Sequence, residues 1–564
     1  MRLGSFACTL LSALTLGAGL LSAQPVRGLG DDALTPSRGS IRVQLSTSIT
    51  DFSDRYGKGT PGRADGSVEP RGIDFSVDSL GVAQFPGLSA AQTALRTLTG
   101  NTGLTLSLGK TNLISQVRVQ TTPIFVEAGI TNRLSLGVLV PIVSARNQVQ
   151  FNMNSGSVKG NVSFNPARAS DATASASALV TNTTLVSQIN TARTQLTALL
   201  ASCTANPGSN ASCPAIIANA PTINASAAAF TTAITQLYGV TGTTGTAFVP
   251  YTGSAADSAI RNRVTAFRTQ YAQYGVTAID ATTVGPAAAT AALSRDGFQR
   301  VMQDSTLGLL ASPLGTVTHQ GLGDIEVSVK LRVFDAFGTR GDTARFLPSG
   351  MKLRQSFGGA YRFATGMVDT PSNFLDVGTG TGANAVEARS FTDVVYGRHF
   401  FGSLIARYAV QMADQQTQRI TDTPDQVFAP AYRQRTVNRA LGNQVQIEVT
   451  PRWIFNDFFS FGAQYLFRNK AEDKYTGTYT VTTTESGLTA PLALNAATLN
   501  AETAATEHRL GWGITFSSVA AYARGKAQLP IEVQYFNSRS IAGAGGNVQK
   551  LSIHQFQVRL YPRL

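Results

Sequence analysis

The sequence predicts an all-β, transmembrane antiparallel β-barrel of about 12 strands, carrying a large helical insertion rich in Ala, Thr and Ser. Three observations carry that expectation. Long segments alternate apolar and polar residues with a period of two, the chain opens on an export leader, and no later apolar run is long enough for a membrane helix.

The clearest alternation runs from Asn443 to Arg468. Val445, Ile447, Val449, Pro451, Trp453 and Phe455 interleave with Gln444, Gln446, Glu448, Thr450 and Arg452. After Asn456-Asp457, Phe459, Phe461, Ala463, Tyr465 and Phe467 interleave with Ser460, Gly462, Gln464 and Arg468. Both arms exceed the length usual in soluble sheets. A soluble sandwich alternates too, but with shorter strands and its polar face outward. One apolar and one ionisable face suit a bilayer-spanning strand around a wet interior.

Met1–Ala23 reads as a signal peptide: Arg2 gives the basic start, Leu10–Leu21 the apolar core, Ser22-Ala23 the small-residue cleavage site. The hydrophobic fraction is 43% and the charged fraction 14%, with a mean hydropathy of +0.02. An apolar exterior averaged with a polar lumen gives such a balance. The formal charge of +13 is scattered along strands rather than gathered in a basic, aromatic-interleaved patch, so no nucleic-acid partner is expected.

In chain order, residues 24–153 hold the first barrel strands and loops. Ser40–Phe52 is the first strand. Asp54–Lys110 is loop-like, with a short helix at Ala90–Leu98 and weak strands near Ile73–Val77 and Leu104–Leu108. Leu113–Ile130 and Leu134–Met153 form a hairpin turning at Thr131-Asn132-Arg133. Pro123 and Pro141 favour a bulge or edge position, and the phase slip between Val119 and Val126 also reads as a bulge.

Residues 154–320 form the insertion, a cap or plug. Helical spacing recurs at Leu185, Ile189 and Leu196, at Phe230, Ile234 and Leu237, and at Val264, Phe267 and Tyr271. Cys203 and Cys213 remain after leader cleavage, and an oxidising compartment favours a disulfide between them.

Residues 321–564 return to alternation, in Gly321–Phe334, Met351–Phe363, Val386–Gly397, Ser403–Met412, the Asn443–Arg468 hairpin, Glu507–Ser518, Ala527–Asn537 and Gln549–Tyr561. Short turns alternate with long connections, which places both termini in the periplasm for 12 strands. Fourteen strands result if the weak segments before Lys110 pair.

Val126-Glu127-Ala128-Gly129-Ile130-Thr131-Asn132-Arg133-Leu134 with Val140-Pro141, Gly321-Leu322-Gly323-Asp324 leading to Lys330-Leu331-Arg332, and Thr365-Gly366 with Phe374–Gly380 carry a resemblance. They resemble an outer-membrane barrel transporter family linked to the meta-pathway of phenol degradation, distantly similar to hydrocarbon-uptake barrels. The resemblance covers the barrel strands and not the insertion. It implies hydrophobic or aromatic solutes. The chain departs from the usual barrel ending, which is aromatic, by closing on Leu564.

Chemistry of other kinds finds little footing. Gly378-Thr379-Gly380-Thr381-Gly382-Ala383 matches G-x-G-x-x-A, but the strand–loop–helix frame of a dinucleotide site is missing. His319, His399, His508 and His554 have no accompanying serine motif, which speaks against a barrel hydrolase, and no spacing suggests a metal site. No cofactor and no enzymatic activity are expected.

The polar faces instead present recurring charge. Arg42, Arg118, Asp324, Glu326, Lys330, Arg332, Arg354, Arg407, Glu448, Arg452 and Arg468 are the lumen-lining candidates, with Lys352, Arg362, Glu387, Arg389, Arg509, Glu532 and Arg559 in the same series. Two readings stand: a salt-bridge ladder that fills a narrow barrel, or a basic pathway whose charges tune selectivity. The expected function is passive, selective passage of small molecules through the bacterial outer membrane. The expected partners are outer-membrane lipid, a small-molecule solute and the barrel assembly machinery. The alternative is a structural or surface-interaction barrel with an exposed cap.

Overall fold

The computed structural model describes residues 31–58, 64–82, 84–85, 88–156, 159–307, 309–336, 350–397, 399–423, 426–456, 458–486, 490–523 and 525–561. The leader expected at Met1–Ala23 and the terminal Leu564 lie outside the described residues. The chain divides into two compact units: Met1–Asp74, Leu113–Gln150 and Leu310–Leu564 form the first, Phe75–Asn112 and Phe151–Leu309 the second.

The strands of the barrel are β1 (Ile41–Phe52), β2 (Thr111–Gly129), β3 (Leu134–Met153), β4 (Glu326–Asp335), β5 (Met351–Arg362) and β6 (Ala385–Tyr396). β7 (Phe400–Gln411), β8 (Gln444–Ile454), β9 (Phe459–Lys470), β10 (Ala505–Ser517), β11 (Ile531–Ala544) and β12 (Ser552–Leu560) complete it. Each pairs antiparallel with its sequence neighbours among these twelve, and β1 pairs with β12 from Val43↔Leu560 to Asp51↔Ser552, so the sheet closes. Closure removes the free edges that would otherwise leave backbone polar groups unpaired in lipid.

The period-two pattern now has a direction. Leu45, Val138, Val329, Leu404, Ile447, Val449, Phe461, Leu510 and Phe556 point outward and are exposed, while Gln44, Glu127, Glu448, Gln464, Arg468 and Gln557 point inward and are buried. An outward apolar belt with a polar interior is the arrangement a bilayer requires. Exposed Tyr396, Trp453, Phe455, Phe458 and Phe459 gather around the short turns, and Tyr408 and Tyr465 lie toward the other end. Aromatic side chains with a polar handle suit the two water–lipid boundaries.

Both described chain ends reach the short-turn side: Arg38 N donates to Asn132 Oδ1 at 3.1 Å, beside the β2–β3 turn, and β12 ends at Leu560. At the opposite end the long connections build structure of their own. Asp414–Arg419, Gln434–Ala440 and Lys474–Thr476 make a small sheet, whose Val437 and Tyr475 share an apolar cluster with Ile420, Val481 and Leu494.

Several expectations are corrected. Gly321–Phe334 is not one strand: Val317–Leu322 pairs with β3 from Ile142 to Asn147, and β4 begins afresh at Glu326. β2 holds one register against β1 from Ile41↔Ala128 to Phe52↔Val117, so the phase slip between Val119 and Val126 is not a bulge. What changes is the surroundings: Leu113, Val117 and Val119 face inward and Ile124 and Val126 outward along one continuous strand. Ile73–Phe75 is a 3-10 turn and Leu104–Leu108 forms no strand, which removes the alternative of 14. The Ala527–Asn537 segment is shifted, β11 running Ile531–Ala544, because the helical turn Val519–Ala523 takes up part of the connection.

The second unit is helical: α1 (Ser89–Thr99), α2 (Ala172–Ala205), α3 (Cys213–Tyr238), α4 (Ala255–Ala272) and α5 (Arg295–Gln303). Asp171, Ser254 and Ser294 cap α2, α4 and α5 by accepting from backbone N–H groups of the first turn. Leu185, Ile189 and Leu196 of α2, and Phe230, Ile234 and Leu237 of α3, are buried at helical spacing. The Cys203–Cys213 disulfide ties the end of α2 to the start of α3.

Candidate functional site

The barrel interior is organised around three residues that precede β1. Asp31 Oδ2 lies 3.0 Å from Arg407 Nη2 and its Oδ1 lies 3.5 Å from Lys330 Nζ. Asp32 Oδ1 accepts from Arg42 Nη1 at 3.2 Å, and the Asp32 carbonyl accepts from Lys330 Nζ at 2.9 Å. Ala33 N donates to Asp393 Oδ2 at 3.0 Å, and Ala33 packs against inward-facing Phe391 and Ile405. The segment is therefore held by β1, β4, β6 and β7 together. Charges removed from water need partners of this kind, since an unpaired one is costly.

Around it the wall charges pair with one another. Arg42 also bonds Glu127, Arg389 bonds Glu326 at 2.6 Å and Glu387 at 2.5 Å, and Arg407 reaches Glu448 at 3.1 Å. Arg354 lies 3.3 Å from Asp335, which also takes Arg332 at 2.7 Å. Farther around, Arg468 meets Glu507 at 2.6 Å and Arg559 meets Glu532 at 2.9 Å. Arg452 lies over the Phe401 ring at 5.6 Å.

Of the sequence candidates, Arg42, Glu326, Lys330, Arg332, Arg354, Arg407, Glu448, Arg452 and Arg468 thus occupy the interior wall, mostly as a packed ladder of ion pairs. Two are placed elsewhere. Arg118 points outward, 68% exposed, and bonds Asp51 at 2.6 Å; it lies on the half of β2 whose inward face is apolar. Asp324 sits in the interruption between Val317–Leu322 and β4, where it holds a loop.

That interruption gathers the glycine-rich motifs. Gly323 N donates to Pro141 O at 2.8 Å, so the proline stands where the neighbouring strand breaks and no ladder N–H is required of it. Asp324 Oδ1 accepts from Gly366 N at 3.0 Å, and its Oδ2 accepts from Thr381 N at 2.8 Å and Thr381 Oγ1 at 2.9 Å. Thr365 Oγ1 donates to Gly323 O at 2.7 Å and Thr379 Oγ1 to Leu322 O at 2.7 Å. A β-carbon on Gly366 would stand 2.5 Å from the Gly380 α-carbon, so the approach needs glycine. The same loop sends Val377 in among inward-facing Phe52, Val117, Val119, Val143 and Ala145, forming an apolar cluster toward the long-connection end.

Within this loop Asp369 accepts from Gly378 N at 2.5 Å, and burial pushes its carboxyl up to about 7, with Asp376 adding repulsion and Arg71 and Arg439 opposing. His319 Nε2 pairs with Asp376 Oδ1 at 2.6 Å. The other histidines belong to the aromatic boundaries: His399 stacks on Trp453, and His508 and His554 bond Tyr465 and Tyr535.

Asp31, Asp32, Glu127 and Asp393 were not among the sequence candidates. Glu127 and Asp393 sit on polar faces and are detectable by alternation. Asp31 and Asp32 precede every strand and carry no periodic signal.

No protein-family model matches the chain, and no curated protein matches it in sequence. Among solved structures, an outer membrane channel from Pseudomonas putida F1 is similar at 7% identity and a TM-score of 0.38, covering 94% of this chain and 99% of that one. A Pseudomonas aeruginosa FadL homologue matches at 9% identity and a TM-score of 0.28, covering 98% and 99%. The Pseudomonas putida toluene transporter TodX matches at 7% identity and a TM-score of 0.25, covering 94% and 91%.

Proposed function

We propose that this barrel is an outer-membrane channel for passive passage of small molecules, closed at rest by its own N-terminal segment, and that its solutes are hydrophobic or aromatic. The observation that carries the reading is the mode of closure. The Asp31-Asp32-Ala33 segment is not part of the wall, yet it is fixed inside it by ion pairs to Arg42, Lys330 and Arg407. A separable segment gives the interior an alternative, open arrangement, which a wall filled by its own side chains lacks. The aromatic preference rests on the resemblance in the Gly321–Asp324 and Phe374–Gly380 motifs, and on the apolar cluster of Phe52, Val117, Val119, Val143, Ala145 and Val377.

The second reading, a structural or surface-interaction barrel, is favoured by the density of interior ion pairs. Solute flux separates the two. Liposomes carrying the barrel with Asp31 and Asp32 replaced by Asn, which releases the closing segment, should take up a phenolic carboxylate, whose charge slows unaided crossing, faster than protein-free liposomes. Equal uptake would favour the structural barrel.

A further inference from the structure

Outside the barrel wall, a groove of about 600 Å³ is lined by Arg118, Arg146, Arg539 and Lys550, and by the carboxylates of Asp51 and Asp54. Strand register assembles it. Asp51 of β1 is paired on one side with Arg118 of β2 and on the other with Ser552 of β12, which in turn is paired with Arg539 of β11. Outward positions on neighbouring strands thus converge on one spot at one level. Arg118 uses Asp51 as a partner; Arg146, Arg539 and Lys550 have no ion pair among the described residues. All four cations are exposed.

The level of the groove is set by the apolar belt beneath it. On β3 the outward residues Leu136, Val138 and Ile142 give way to Ser144, Arg146 and Gln148. On β2, Val126 and Ile124 give way to Thr122, Gln120 and Arg118. Arg146 is four residues beyond Ile142, about 13 Å along a strand and nearer 10 Å along the membrane normal after tilt. That is the depth of lipid headgroups on the long-connection side.

We propose that this groove binds the phosphorylated headgroup of a glycolipid in the adjacent leaflet. Several guanidinium and ammonium groups converge there, which suits a polyanion. The groove has room for a sugar phosphate rather than a bare ion, and its site directly beyond the lipid-facing belt puts a lipid's own headgroup within reach. Arginine forks and a lysine point charge are the usual means of holding phosphate. The inference rests on the belt being lipid-facing and is independent of transport.

The test uses the full-length barrel, delipidated in detergent, with native mass spectrometry and thermal unfolding as readouts. Bisphosphorylated lipid A should bind and raise the melting temperature, and lipid A stripped of both phosphates should bind roughly tenfold more weakly or worse. Replacing Arg118, Arg146, Arg539 and Lys550 together by Gln should weaken binding of the bisphosphorylated lipid by a similar factor, with the strand spectrum unchanged. Should that variant not fold, Arg146→Gln and Lys550→Gln singly, which break no ion pair, should each weaken it in part. Equal binding of the two lipids, or unchanged binding by folded variants, would overturn the proposal. Complete displacement by inorganic phosphate would overturn it too, because the site would then be one for the free anion.

Discussion

Asp31 and Arg407 are 376 residues apart in sequence and meet at 3.0 Å inside the barrel. Arg407 is shared, since Glu448 holds its other face at 3.1 Å. The wall pair Arg407–Glu448 can therefore outlast the departure of Asp31, which is what a removable closure needs.

Replacing Asp31 and Asp32 by Asn should free the segment without unfolding the barrel. Truncating one partner of a buried pair costs about 3–5 kcal/mol where the other charge is left alone; Arg42 and Arg407 keep Glu127 and Glu448, so the cost falls on Lys330, which loses its ion pair with Asp31 and keeps its place over the Phe391 ring. The heat-resistant, compact electrophoretic form should persist, while a protease added from the short-turn side should cleave near residue 33 faster than in the parent.

Asp324→Ala should loosen the 363–384 connection and leave the barrel closed. It strands the N–H groups of Gly366 and Thr381, at up to about 1–3 kcal/mol for each group left unsatisfied, while the Thr381 hydroxyl keeps the Ala383 carbonyl. Limited proteolysis within that connection reads the effect. Resistance equal to the parent's would mean that Asp324 does not anchor the loop.

The same loop should respond to pH. Folding raises the Asp369 carboxyl from its usual range to about 7. The folded loop then binds more protons than the unfolded one, so Asp369 stabilises it fully below the ordinary carboxylate range and loses that contribution as pH rises through about 7. Proteolysis of the loop should accelerate as pH rises from about 4 to about 7 and level off above that, and Asp369→Asn should flatten the profile.

Ile447→Arg should impair assembly and Arg452→Glu should not. Ile447 faces outward in the belt, where Arg costs about 2–4 kcal/mol at midplane. Arg452 lies inward over the Phe401 ring, where a changed charge avoids that lipid cost. Yields of folded barrel from refolding into lipid compare the two; the opposite ranking would invert the inside–outside assignment.

Cys203→Ser should destabilise the α2–α3 connection, because the disulfide closes a span with a sequence separation of 10. Chain entropy alone puts the effect at about 3 kcal/mol. Alkylation of denatured, unreduced protein should label neither cysteine.

How much of this could be read beforehand depended on whether a residue's role is periodic. The pairing of outward Ile447 with inward Glu448 repeats around the barrel, so strand identity and facing were legible from alternation. The interruption at Gly323–Ile325 was not, because Ile325, Val327 and Val329 keep the period while the backbone leaves the ladder. Arg118 misled for a related reason: inside and outside exchange polarity along β2 where Val377 supplies an apolar core. Asp31 and Asp32 act through contacts hundreds of residues away, which no local pattern encodes.

Single-channel recording in planar bilayers tests the central claim, comparing the parent with the Asp31→Asn, Asp32→Asn variant. The parent should be silent or open briefly, and the variant should show long-lived conductance steps while keeping its folded electrophoretic form. A folded variant with its segment released and no conductance steps would mean that the interior ion-pair ladder is a filled structural core and not a passage.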